Sequence, residues 1–270
     1  NSPRYPAETV EETDEVIIYT TRWGATVRDF KHRTTVPDFI DYTITDADAW
    51  AAAKKRIAPT RDRIDWDALD ANYKATRAAG GVFLGGLWFG FDVSHARMVG
   101  TERLLMALAT DPGWVVDMWT HQLDVNLALL EVAWEAGYAF DGVRWPDDMG
   151  YKGHQFFSID MYRALLKPLH KRAIDWAHAK GIPAALHSCG DVTPFVPELL
   201  EIGLDGLNPL EVKAGMDPLA LKREVGDRLV LHGGINAVNW DRPDAIEAEI
   251  REKVPTLKED GGYIFASDHS

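Results

Sequence analysis

Two hydrophobic periodicities divide the chain. Over residues 15–32 the run EVIIYTTRWGATVRDFKH alternates β-branched and polar residues on either side of Trp23-Gly24. That alternation, with a glycine at the turn, predicts a hairpin at about 16–33. From 46 to 80 the spacing lengthens to that of two helices. Thr45 and Asp46 offer caps for the first, Asp65 opens the second, and Gly80-Gly81 ends it. Short apolar runs then recur: VFLGGLW from 82, FDGVRW from 140, PAALHS from 183, DGLNPL from 205, RLVLHGG from 228 and GYIFAS from 262. Helical stretches at about 111–137, 158–180, 191–202, 217–225 and 241–260 lie between them. Strand, helix, strand, helix implies a parallel sheet, and strands apolar nearly throughout imply that both faces are buried.

The expected class is therefore α/β, a closed (β/α)8 TIM barrel forming one domain over 1–270, with the hairpin and helices at about 16–80 ahead of it. An open doubly wound sheet would usually show G-x-G-x-x-G or G-x-x-x-x-G-K-[ST] after an early strand, and neither occurs. The chain opens on Asn1 rather than methionine and stops just after an apolar run, so the barrel is expected to be incomplete at both ends.

Composition narrows the function. With 46% hydrophobic residues and ten tryptophans among 270, the chain can bury a large core. A formal net charge of -13 argues against nucleic acid and anionic membranes as partners, since both require clustered Lys and Arg. No apolar run approaches the roughly 18 residues of a membrane span, and a single cysteine makes no internal disulfide. A soluble, cytoplasmic protein with a small-molecule substrate is the expectation.

Polar residues gather at strand ends: Asp147 and Asp148 after Trp145-Pro146, His187-Ser188-Cys189, Asn208 to Glu211, His232-Gly233-Gly234, and Asp268-His269. In a barrel these ends meet at one mouth, where the chemistry is done. His187 and Cys189 are two residues apart, so on a strand they share a face, and imidazole plus thiolate is a zinc pair. Catalytic zinc usually takes three protein ligands, and His269, Glu211, Asp147 or Asp148 could supply the third. The plainer alternative is a small buried thiol beside a hydrogen-bonded histidine.

Asp147 and Asp148 are also candidates for acid–base work, although neighbours on a strand face opposite ways and only one easily enters the mouth. Glu211 follows a proline that fixes its turn, unless it is a solvated loop residue. His232 precedes two glycines that permit close approach of a ligand, or simply turn the chain. Trp88 and Phe91 could wall a flat ligand or pack the core. His95 and Arg97 could contact a substrate carboxylate, with helix capping by Ser94 as the duller account. His121, His170 and His178 fall on helices, where a solvated outer face is expected.

The run HSCGDVTPFVPELLEIGLDGLNPLEVKAGMDPLALKREVGDRLVLHGGINA resembles the uroporphyrinogen decarboxylase superfamily, as do WPDDMGYK with the helix after it and the closing GGYIFASDHS. The likeness covers about 80–270. It implies a (β/α)8 barrel, often paired as a homodimer. The superfamily's methyltransferase branch uses an H-x-C pair, here His187 and Cys189, with a later ligand falling on or beside His269, where those enzymes often carry Cys. This branch implies zinc and a corrinoid as methyl donor or acceptor, carried by a corrinoid protein. The decarboxylase branch needs no metal and implies arginines for a tetrapyrrole's acidic arms and a carboxylate, for which Asp92 is a loose match, for its pyrrole NH groups. Methyl transfer ranks first, tetrapyrrole decarboxylation second, and a barrel that binds a small ligand without catalysis third.

Overall fold

The computed structural model describes residues 2–269. The chain divides into two compact units, one of the chain up to Asn72 with Trp88–Tyr138, the other of Tyr73–Leu87 with the chain from Ala139 on.

The first unit begins as an antiparallel meander, β1 (Thr9–Glu12), β2 (Val16–Thr20), β3 (Ala25–Phe30) and β4 (Asp38–Tyr42). The expected hairpin is its centre. Gly24 turns it with φ of 97°, donating its amide to the Thr21 carbonyl at 3.0 Å. β1 and β4 extend it on either side, and their charged, exposed sequences TVEE and DFIDY carried no strand signal. Asp46 caps α1 (Ala47–Lys54) by accepting from the Ala49 amide at 2.8 Å, and Asp65 does the same at 3.0 Å for the start of α2 (Trp66–Ala78). α3 (Phe91–Val93) is a single turn, continued by a wider π-type turn through Met98. α4 (Thr101–Thr110) and α5 (Pro112–Glu135) follow. α5 buries Val115, Met118, Trp119, Gln122, Leu123 and Asn126, a stripe at helical spacing.

The second unit holds a six-stranded parallel sheet. Its strands are β5 (Leu84–Gly86), β6 (Gly142–Pro146), β9 (Ala184–His187), β10 (Gly206–Asn208), β11 (Val230–His232) and β12 (Tyr263–Ile264), each on one of the six apolar runs. A short antiparallel pair, β7 (Gly150–Tyr151) and β8 (His154–Gln155), follows β6. The connecting helices are α6 (Ile159–Met161), α7 (Lys167–Ala179), α8 (Val196–Glu201), α9 (Pro218–Val225) and α10 (Pro243–Leu257). Spatial order along the sheet is β5, β6, β9, β10, β11, β12, so it never reverses. A doubly wound sheet reverses at a switch point, whereas sequential order is that of a barrel wall.

One expectation needs correcting, because only one face of this sheet is covered throughout. Val143, Trp145, Leu186, Leu207 and Leu231 are buried, while the other face carries Arg144, His187 and His232 with exposed Leu84, Val230 and Ile264. Strand pairing sets Gly86, Arg144, Ala185, Gly206 and Val230 in one row on that face. The chemistry-bearing residues thus stand on a bare wall between small neighbours.

Glu198 on α8 ties the sheet's helices together. Its carboxylate accepts from Arg163 at 2.6 Å and from Lys167 at 2.6 Å. Those two hydrogen bonds hold its pKa down to about 2, against an ordinary 4.5. A depressed carboxylate stabilises the fold fully above the unfolded value, and that contribution disappears as pH falls toward the folded one. Denaturation followed from pH 5 to 2 is expected to show stability lost over this window, with a shallower loss in Glu198→Gln.

Candidate functional site

Parallel pairing brings the carboxyl ends of β6, β9 and β10 together, with His187 opposite Pro146 on one side and Asn208 on the other. The chain beyond each strand stays in register for a further step. The Asp147 amide donates to the His187 carbonyl and the Ser188 amide to the Asn208 carbonyl, both at 2.8 Å. Asp148 and Cys189 are thereby placed next to each other. The Cys189 amide donates to Asp148 Oδ1 at 2.8 Å, Cys189 Sγ lies 3.4 Å from His187 Nε2, and that nitrogen lies 3.9 Å from Asp148 Oδ1. One donor atom from each of the three lies within 4.8 Å of the others, and all three side chains are partly exposed.

The neighbours of His187 decide which nitrogen is available. Asn208 Nδ2 donates to the His232 carbonyl at 3.2 Å, which turns its Oδ1 toward His187 Nδ1, 2.6 Å away. An amide oxygen only accepts, so this arrangement assigns the proton to Nδ1 and leaves the Nε2 lone pair facing Cys189 and Asp148. Arg144 donates to the same Asn208 oxygen at 2.6 Å and comes within 3.0 Å of Nδ1. Imidazole, thiol and carboxylate, with the imidazole oriented from behind, is a donor set that suits zinc with one position open.

The loop carrying Cys189 is clamped from two sides. Glu211, 8% exposed, accepts from the Gly190 amide at 2.6 Å, with Lys213 Nζ 3.6 Å away. Gly190 has φ of 81°, and a Cβ on it would lie 2.0 Å from the Gly150 carbonyl carbon, so the two backbones touch where any side chain would collide. Ser188 is buried and accepts from the Met149 amide at 3.0 Å.

Asp147 turns the opposite way from Asp148, as strand alternation requires. It is fully buried and bonded to His170 Nε2 at 2.9 Å, and Tyr162 Oη lies 3.2 Å from His170 Nδ1. Burial, reinforced by Asp147 and then Glu198, pushes the Tyr162 phenol well above its ordinary pKa. The expected solvated face of His170 is thus overturned, because α7 turns this residue inward against the sheet. His121 is half-buried, 2.8 Å from the Ile57 carbonyl, while His178 is exposed and bonded to Asp205 at 2.8 Å.

His269 follows β12 and is half-buried, and among the described residues the three-donor cluster does not include it. Its neighbour Asp268 is fully buried and accepts from the amides of Ala237 at 2.8 Å and Lys213 at 3.3 Å. His232 is half-buried. Its pKa is lowered, first by burial and then by Arg144 and His187. The remaining candidates belong to the first unit. Trp88 is stacked on Trp23 at 6.1 Å and carries the Arg97 guanidinium 5.1 Å above its ring. Phe91 is fully buried and stacks on His95, whose Nε2 is 3.7 Å from Asp92 and whose Nδ1 is 3.0 Å from Thr101 Oγ1. Ser94 caps no helix: it donates to the Gly90 carbonyl at 2.7 Å and accepts from Trp119 Nε1 at 3.0 Å.

Two residues of the site escaped the sequence reading. Arg144 was hidden inside the apolar run FDGVRW, where a lone arginine was itself the signal. Asn208 was noted only as a strand end, and its role depends on the pairing of β9 with β10.

A sequential parallel sheet with ligand-type donors at its strand ends defines an α/β-barrel enzyme class, and the comparisons with known proteins agree. The family model described as uroporphyrinogen decarboxylase (URO-D) matches residues 24–270, and the chain belongs to that family. Among solved structures it is similar to a methyltransferase from Methanosarcina mazei, with 18% sequence identity and a TM-score of 0.59, over 89% of this chain and 67% of that one. At that identity the likeness concerns the fold. No curated protein matches the sequence. No helix among the described residues is long and apolar enough to cross a membrane.

Proposed function

We propose that this protein is a zinc-dependent methyltransferase that moves a methyl group between a corrinoid and a thiol or methylated small molecule. The observation that carries the reading is the convergence of Asp148, His187 and Cys189 at the strand ends. Zinc held there would supply a Lewis acid that lowers the pKa of an acceptor thiol and favours its thiolate. The chain's own residues prepare the place. Asn208 fixes the His187 tautomer, the Cys189 amide fixes the Asp148 carboxylate, and Glu211 fixes the Gly190 backbone. Beside them lies an open recess of about 390 Å³ lined by Leu84, Gly85, Gly86, Arg144, Pro146 and His187, of a size for a small molecule. His269 lies outside the three-donor cluster among the described residues and is proposed as a further donor. Glu211 and Asp147 act by holding other groups.

The test begins with the purified protein. About one zinc per chain is expected, together with methyl transfer from methylcobalamin to a small thiol that is lost on chelation and restored by zinc. A second reading, metal-free decarboxylation of a tetrapyrrole, is favoured by the description of the matching family. Uroporphyrinogen decarboxylation that survives chelation would establish it in place of the first.

A further inference from the structure

The open face of the sheet carries one cation whose charge is not neutralised. Arg144 is exposed on β6, and among the described residues no carboxylate lies within ion-pair distance of it, in a chain with 42 acidic residues. Among the described residues its acceptor is neutral, the Asn208 amide oxygen at 2.6 Å, met by one terminal nitrogen that also lies 3.0 Å from His187 Nδ1. Arg144 lines the recess beside this face. Its strand neighbours in the row are Gly86 and Ala185, and a Cβ added to Gly86 would meet nothing within 4 Å. A rigid planar cation kept in one orientation beside an open recess is how a protein prepares to bind a planar anion in bidentate fashion.

We infer that the substrate of this site is a short monocarboxylic acid, held through its carboxylate by Arg144 with its reacting group turned toward Asp148, His187 and Cys189. The inference rests on the function proposed above and adds the class of molecule. Three features select it. Among the described residues no lysine or second arginine lines the recess, so one positive charge calls for one negative charge. Leu84, Gly86 and Pro146 offer the middle of the molecule an apolar surface. Finally, Arg144 and Cys189 approach opposite nitrogens of the same imidazole, at 3.0 and 3.4 Å, so only a few carbon atoms separate the two ends. Arg144 is thus a specificity-determining residue.

The experiment follows the Arg144 Nε–H resonance, assigned by its loss in Arg144→Lys, as small acids are titrated into the zinc-loaded and chelated protein. Propionate and 3-mercaptopropionate are expected to shift it saturably, and 2-mercaptoethanol, the neutral thiol, to leave it in place. Arg144→Gln is expected to weaken 3-mercaptopropionate about tenfold or more, as loss of a charge-assisted pair does, while keeping its zinc. A resonance indifferent to both acids, or one that responds more strongly to inorganic phosphate than to either, overturns the inference even if zinc is bound. If no zinc binds but propionate still moves the resonance, the metal reading fails and the carboxylate site stands.

Discussion

Alanine in place of Cys189 is expected to leave the protein folded and to cost at least about a hundredfold in zinc affinity, since even groups that merely orient a ligand are worth 10–100-fold. The thiol is part of a three-donor set, with Sγ 3.4 Å from His187 Nε2. Removing it leaves an imidazole and a carboxylate, too few to hold zinc against a competing chelator. Cys189 is partly exposed, so the lost volume opens no large cavity. Metal analysis after dialysis against a weak chelator reads the result directly. The same measurement separates the candidates for third donor. Asp148→Ala should release zinc much as Cys189→Ala does, whereas His269→Ala should retain it in the absence of substrate. The reverse pattern would move the third ligand to His269 and make Asp148 a clamp on the Cys189 amide.

The second large effect lies behind the site. Asp147 and His170 are both fully inaccessible and bonded to each other at 2.9 Å, so replacing either one removes the other's partner in that bond where no water can reach. Breaking a buried pair in this way costs about 3–5 kcal/mol. Asp147→Ala and His170→Ala should each show a loss of that order in denaturant unfolding. Replacing both together by apolar residues of similar volume should cost less than the sum, because the two ends of the Asp147–His170 bond are removed together and the loss that remains is that of the Tyr162 hydroxyl's contact with His170. Simple addition of the two losses would show that the pair does not act as one.

These two sites also show what the sequence could and could not carry. Period and punctuation are local, so all six parallel strands, the hairpin at Gly24 and the caps Asp46 and Asp65 could be read directly. The shared face of His187 and Cys189 followed from alternation alone, as did the opposite directions of Asp147 and Asp148. The neighbours across strands were another matter. Asp148 meets Cys189 because Pro146 pairs with His187, a register between segments some forty residues apart that no local pattern encodes. His170 was placed outside because its helix reads as polar, KPLHKRAIDWAHA, and only the packing of α7 shows that Leu169, His170, Ala173 and Ile174 form its inner side. Arg144 was lost because strand apolarity was taken to mean two buried faces, when one wall is bare.

The contact between Gly190 and Gly150 bears on which ion the proposed centre would take. Each glycine stands within two residues of a donor, Gly190 beside Cys189 and Gly150 two beyond Asp148, and the backbones meet with no side chain between them. The spacing of the two backbones that carry the sulfur and the carboxylate is therefore set by main chain against main chain, and the side-chain rotamers of Cys189 and Asp148 are the freedom that remains. A metal held there under the proposed function would meet two donor-bearing backbones that cannot spread apart freely, which would favour a small tetrahedral ion over a large one that needs six or more oxygens.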